Sequence, residues 1–284
     1  MLLFILHSCT GAFAQVTGPG QPFTEAIAAR LRGQIASDSV EAKRSALFEI
    51  RNYSSPEASR LALPALTDKD EIVRSSAASS VVFLPKDEAA RALVPLLGDR
   101  AEFVRREAAF ALGEVGDGSA TAPLVKLMQR DKAFEVRTAA ATALGKIGDV
   151  SAVDALVEVV RKTPREDDEF LRRSAARSIG QIAQIRQTGN TTVLTPQNFL
   201  PDKFKDLGTG TAQPNFTKAT SLLIQVLENS KESDDTRRES AFALGAIGFA
   251  AAKPVLQRFV SAPDPYLAEI CREALLKIDR QTKN

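Results

Sequence analysis

A segment of about thirty residues recurs along this chain, and a period of that length restricts the fold to stacked copies of one small unit. The clearest copies read VRREAAFALGEVG from Val104, VRTAAATALGKIG from Val136, LRRSAARSIGQIA from Leu171 and TRRESAFALGAIG from Thr236. VRSSAASSVVFLP from Val73 and AKRSALFEIRNYS from Ala42 are weaker copies, and LAEICREALLKID from Leu267 is the last. The second position is basic in six of them: Lys43, Arg74, Arg105, Arg137, Arg172 and Arg237, at intervals of 31, 31, 32, 35 and 65 residues. The seventh copy has Ala268 there.

Each segment has a helical period. Val104, Ala108, Leu112 and Val115 fall on one stripe, and Val136, Ala140, Leu144 and Ile147 repeat it. Gly113, Gly145, Gly180 and Gly245 share one register position. Glycine there costs about 1 kcal/mol relative to alanine, so its recurrence predicts a neighbouring helix too close for a Cβ. Gly116, Gly148 and Gly248 are placed to end the helix in the left-handed conformation. Asp117 and Asp149 follow, placed to cap a second helix with its own stripe: Ala120, Leu124, Leu127 and Met128, then Ala152, Leu156, Val159 and Val160. The unit is therefore helix A, a tight turn and helix B. One such hairpin cannot bury its apolar face, and stacked copies can, which predicts a right-handed superhelix of helix pairs.

The pattern V-R-x-x-A-A-x-A-L-G-x-I-G-D resembles HEAT repeats, in particular the short bacterial type also seen in phycobilin lyases, over residues 38–278 apart from one insertion. The resemblance implies an all-α fold, an α-α superhelix forming a HEAT-like solenoid of about seven helical hairpins. It implies use as an interaction surface, with a bilin lyase or isomerase as the alternative. It also implies a structural ladder: Asp68, Asp99 and Asp131, each six residues before Arg74, Arg105 and Arg137, cap helix A while the arginines bridge to neighbouring repeats. Arg172 and Arg237 continue the series. The competing reading, an anion-binding stripe, is disfavoured because each arginine comes with its own acid.

The inner, concave surface is expected from the outward positions of the B helices. These are Arg60, Arg91, Asp154, Ser221 and Lys253, then Lys126, Glu158, Gln225 and Gln257 one turn later. Such mixed charge suits a peptide or protein partner, and equally a plain solvated face. Residues 187–216 interrupt the period with a Thr-, Gly- and Pro-rich insertion between helices A and B of the fifth copy. Its Phe199, Leu200 and Phe204 are candidates to dock on the solenoid or to grip a partner. The acid run from Glu166 to Glu169 is read as a helix start rather than a metal site, and Cys271 as a core residue.

Residues 1–14 read as an export signal. Leu2 to Leu6 is a short apolar run, though no Lys or Arg precedes it, and Ala12-Phe13-Ala14 is a cleavage pattern that leaves Gln15 first. Leu6-His7-Ser8-Cys9 also fits lipidation at Cys9, the one route by which a membrane would be engaged. Residues 15–37 would hold a capping helix ahead of the solenoid at 38–284. Processing after Ala14 removes the only histidine, which excludes Ser-His and Cys-His triads and disfavours zinc. A formal charge of +2 and the lack of Trp argue against nucleic acid. The expectation is an exported, periplasmic or secreted, scaffold without catalytic activity, cofactor or metal, whose partner is another protein or peptide.

Overall fold

The structure, a computed structural model, describes residues 22–162, 169–189 and 214–281. Helix α1 (Glu25–Ile35) precedes the array. The A helices are α2 (Val40–Asn52), α4 (Glu71–Ser80), α6 (Glu102–Val115), α8 (Phe134–Ile147), α10 (Glu169–Thr188), α12 (Asp234–Ile247) and α14 (Pro265–Gln281). The B helices are α3 (Pro56–Arg60), α5 (Lys86–Leu93), α7 (Thr121–Arg130), α9 (Val153–Arg161), α11 (Pro214–Glu228) and α13 (Lys253–Phe259). No strand occurs among the described residues, and the fold is an all-α solenoid. Six copies are A–B pairs and the seventh is α14 alone. Leu276 of α14 is exposed at the register position where an earlier A helix meets the next one. The insertion is bounded more tightly than the periodicity suggested, because α10 runs on to Thr188 and α11 begins at Pro214. Phe199, Phe204, the signal region with His7 and Cys9, and residues 166–168 lie outside the described residues.

Local chemistry sets the boundaries. Ser39, Asp70 and Ser233 cap α2, α4 and α12 through their side-chain oxygens. Gly116 (φ 68°), Gly148 (φ 78°) and Gly248 (φ 80°) turn the chain left-handed after α6, α8 and α12. Asp117 and Asp149 then accept from the backbone N–H of Ser119 (2.8 Å) and Ser151 (2.9 Å), starting a 3-10 turn that leads into α7 and α9. In the first two repeats a proline inside helix B, Pro64 or Pro95, removes a donor, and the helix finishes as a 3-10 turn over Leu63–Thr67 or Val94–Gly98.

One aliphatic core runs from Leu31 to Ile278 through every repeat. Where neighbouring A helices meet, the core is alanine and glycine, so backbones come close. A Cβ on Gly113 would sit 2.8 Å from Ala143 Cα, and one on Gly245 would sit 2.7 Å from Ala274 Cα. Gly33 in α1 has open space around it. Gly245→Ala is therefore expected to destabilise by about 1–2 kcal/mol: overpacking costs about 1–3 kcal/mol and exceeds the helix-propensity gain of about 1 kcal/mol. Gly33→Ala should instead stabilise by roughly 0.5–1 kcal/mol. Thermal melts of the two variants check both signs.

Candidate functional site

The basic residues at the second position form a buried ladder between repeats. Arg74 donates from Nε and Nη2 to both oxygens of Asp99 (2.7 and 2.8 Å). Arg105 does the same to Asp131 (2.6 and 2.9 Å), and Lys43 pairs with Asp68. The remaining arm of each arginine turns back on its own repeat. Arg74 Nη1 donates to the Asp68 carbonyl (2.9 Å), Arg105 Nη1 to that of Asp99 (3.0 Å) and Arg137 Nη1 to that of Asp131 (3.1 Å). Buried Arg172 pairs with Glu232 of the sixth copy and donates to the carbonyls of Val160 and Lys162.

Two details differ from the sequence-based expectation. Asp68, Asp99 and Asp131 do not cap helix A: each accepts from the N–H two residues on, at Asp70, Ala101 and Ala133. The carboxylate is thereby aimed at the preceding repeat's cation, while Asp70 is the cap of α4. Arg237 leaves the ladder: it donates to the Leu227 carbonyl (3.2 Å) and stacks on Phe259. Its neighbour Arg238 makes the inter-repeat pair, with Asp264 at 2.7 Å. The last loop carries its acid two residues later: Ala262 holds the register of Asp99 and Asp131, Asp264 that of Asp70, and the acid faces the next side chain along α12.

These bonds set the acid response. Hydrogen bonds from Arg74 hold Asp99 below the usual carboxylate range against the opposing effect of burial. At Asp131 burial is the largest influence and pushes upward, but bonds from Arg105 and the Ala133 N–H outweigh it and the net shift is down. Burial raises Glu107 and Glu239. A carboxyl lowered by folding stabilises above its unfolded value, near pH 4, and loses that contribution as pH falls through the folded value. A raised one adds stability as pH falls toward its unfolded value. The melting temperature should therefore hold or rise slightly from pH 7 to about pH 5 and drop steeply below about pH 4, as read by calorimetry across that range.

The solenoid curves toward the A helices, which corrects the expectation that B helices line the inside. Arg51 of α2 reaches Glu114 of α6 at 3.9 Å, past α4. Gln281 of α14 donates to Gln187 of α10 at 2.9 Å, past α12. Side chains two repeats apart meet only on the inside of a bend. The cause is packing: small residues bring the A helices together along their lengths, whereas larger Leu, Val and Met side chains hold most B helices apart, α9 and α11 being the pair in closest contact. The B-helix candidates thus lie on the outer surface. Arg60 pairs with Glu88, Arg91 with Asp87 and Glu158 with Arg161. Lys253 pairs with Asp279 of α14, and Lys126, Asp154 and Gln225 are exposed.

The inner face carries the apolar surface. Every exposed large hydrophobic among the described residues belongs to an A helix: Phe48 (69% exposed), Ile72, Phe103, Phe110, Phe134, Phe170 (54%) and Tyr266 (66%), besides the terminal Leu276. Ile72, Phe103, Phe170 and Tyr266 share one register position, just ahead of the repeat's first residue. Arg106, Arg173 and Arg238 lie over the rings of Phe103, Phe170 and Tyr266 at 5.2, 5.1 and 5.3 Å. The signal was present in the sequence as phenylalanines on the helical stripe opposite the core. Toward the C-terminal end, α8, α10, α12 and α14 enclose a groove of about 810 Å³. Cys271 is fully buried, and burial pushes its thiol up to about 12. Among the described residues no group of acids, histidines or cysteines could hold a metal ion, and no helix is long and apolar enough to cross a membrane.

Comparison with known proteins agrees with this architecture. An engineered protein aligns over 90% of this chain and 71% of its own at 21% identity, with a TM-score of 0.53. The complex of CpcE and CpcF of phycocyanin lyase from Nostoc sp. PCC7120 aligns over 97% of each chain at 20% identity and TM-score 0.49. A designed armadillo repeat protein in complex with peptide (KR)4 aligns over 88% of this chain and 98% of its own at 18% identity and TM-score 0.49. At such identities the likeness is one of fold. No curated protein matches the chain. The PBS lyase HEAT-like repeat matches residues 236–261, and HEAT repeats match residues 27–109 and 93–180, more than half the sequence; the chain belongs to the HEAT-repeat family.

Proposed function

We propose that this protein is an exported scaffold, without catalytic activity of its own, that holds an extended segment of a partner protein along the inner face of its A helices. The observation that carries the reading is the confinement of the exposed large hydrophobics among the described residues, Leu276 at the end of the array excepted, to that face. Apolar side chains left open in a row on a concave surface are what a partner covers. The outer B-helix surface offers charges already paired with their neighbours, which are worth little to a partner. The bilin-lyase reading rests on the repeat alone and has no reactive side chain among the described residues behind it.

Peptides selected from a displayed random library against the purified protein test the binding. Phe103→Ser with Phe170→Ser is expected to weaken the selected peptides at least about tenfold, and Lys126→Ala with Glu158→Ala to leave them unchanged. The reverse pattern, or no selection at all, would sink the proposal. Export is tested by mass spectrometry of the mature protein: an N-terminus at Gln15, or a lipidated Cys9, supports it, and an intact Met1 contradicts it.

A further inference from the structure

The groove over α8–α14 has one wall of each sign. Lys146, Arg173 and Arg177 come from α8 and α10 with no acid among the lining residues of those helices. Asp235, Glu239, Glu269 and Glu273 come from α12 and α14, with Arg238 the one cation on that side. In the middle the walls satisfy each other, because Arg173 pairs with Asp235 at 2.6 Å and Arg177 with Glu239 at 3.1 Å. The ends do not. Lys146 and Glu273 form no ion pair within 4.0 Å among the described residues, though Lys277 one turn along α14 acts on Glu273, and Glu269 is held only by Arg272 on its own helix, at 2.6 Å. Gln181 on the floor is 5% exposed, and its Oε1 has no hydrogen-bond partner.

Resting on the binding reading above, we propose that this groove receives an extended peptide that is acidic at one end and basic at the other, its acid against Lys146 and its base against Glu269 and Glu273. Three helix-to-helix steps of about 8–10 Å separate α8 from α14, a span that about seven to nine residues of extended chain cover at roughly 3.3 Å each. A uniformly acidic or basic peptide meets one like-charged wall. A dipolar one compensates both ends and leaves the central pairs intact. Burial raises Glu273 and also Glu239, so a cation brought to that wall relieves a carboxylate already short of solvent. The partner is thus a protein segment, recognised by the separation and order of its charges.

The test uses fluorescein-labelled nine-residue peptides with the full-length protein and anisotropy as readout. One peptide carries Asp-Asp at its N-terminus and Lys-Lys at its C-terminus, a second has the opposite order, and a third has the same composition with charges alternating. One dipolar order should bind at least about tenfold tighter than the alternating peptide and weaken with added salt. Glu269→Lys with Glu273→Lys should remove that advantage and favour a peptide acidic at both ends, and Lys146→Glu should remove it alone. Melting temperatures close to the parent's establish that the variants are folded. Equal binding of dipolar and alternating peptides, or charge reversals without effect, would overturn the inference. If library-selected peptides still depend on Phe103 and Phe170, the scaffold reading survives that result; if no peptide of any kind binds, both fall.

Discussion

Replacing Arg105 by alanine is expected to cost about 3–5 kcal/mol. Arg105 is 7% exposed and the side chain of Asp131 beside it 6%, joined by two bonds, with a third arm on the Asp99 carbonyl. Removing the guanidinium strands a carboxylate where water does not reach, and that desolvation rather than the lost attraction makes the effect large. Asp131→Ala should cost a similar amount. The double replacement Arg105→Met with Asp131→Leu should cost less than either single change, since no charge is left without its partner. By contrast, Arg91→Ala breaks an exposed pair with Asp87 and should change stability by less than about 0.5 kcal/mol. Denaturant midpoints of the four variants separate these cases.

Leu144→Ala should cost about 2–5 kcal/mol, toward the upper end. Leu144 is wholly buried in α8 one turn on from Ala140 and Ala141, side chains with nothing to extend into the space it leaves. Close backbone contact between A helices further restricts collapse. Because each repeat is stabilised mainly by its neighbours, the damage should also uncouple the two halves. The single melting transition of the parent is expected to split in two, seen by circular dichroism.

The elements that repeat were legible in the sequence, because their causes are local. The Val104–Val115 stripe, the Gly116 and Gly148 caps and the small residue at Gly113 follow from helix period, left-handed backbone and steric space. The direction of curvature was legible in principle and assigned to the wrong side. It depends on the difference in spacing between the two helix layers, and the Ala and Gly where A helices touch one another, such as Gly113 against Ala143, against the Leu, Val and Met of the B stripes already encode it. The partners of the ladder were harder. Glu232 serves Arg172 across the insertion, and Arg238 replaces Arg237, because the acid's place within the loop decides which side chain faces it, and shifts of one or two residues there leave the apolar pattern unchanged. The inner-face phenylalanines were visible as positions but not as a surface until the fold brought Phe103, Phe170 and Tyr266 to one edge.

Hydroxyl-radical footprinting of the protein with and without a selected peptide tests the central claim, that the A helices form the inner, partner-holding face. Protection is predicted at Phe48, Phe103, Phe170 and Tyr266, with the B-helix side chains Lys126, Pro254 and Gln225 unchanged. Protection confined to the B helices, with those aromatic rings still fully reactive in the complex, would contradict it.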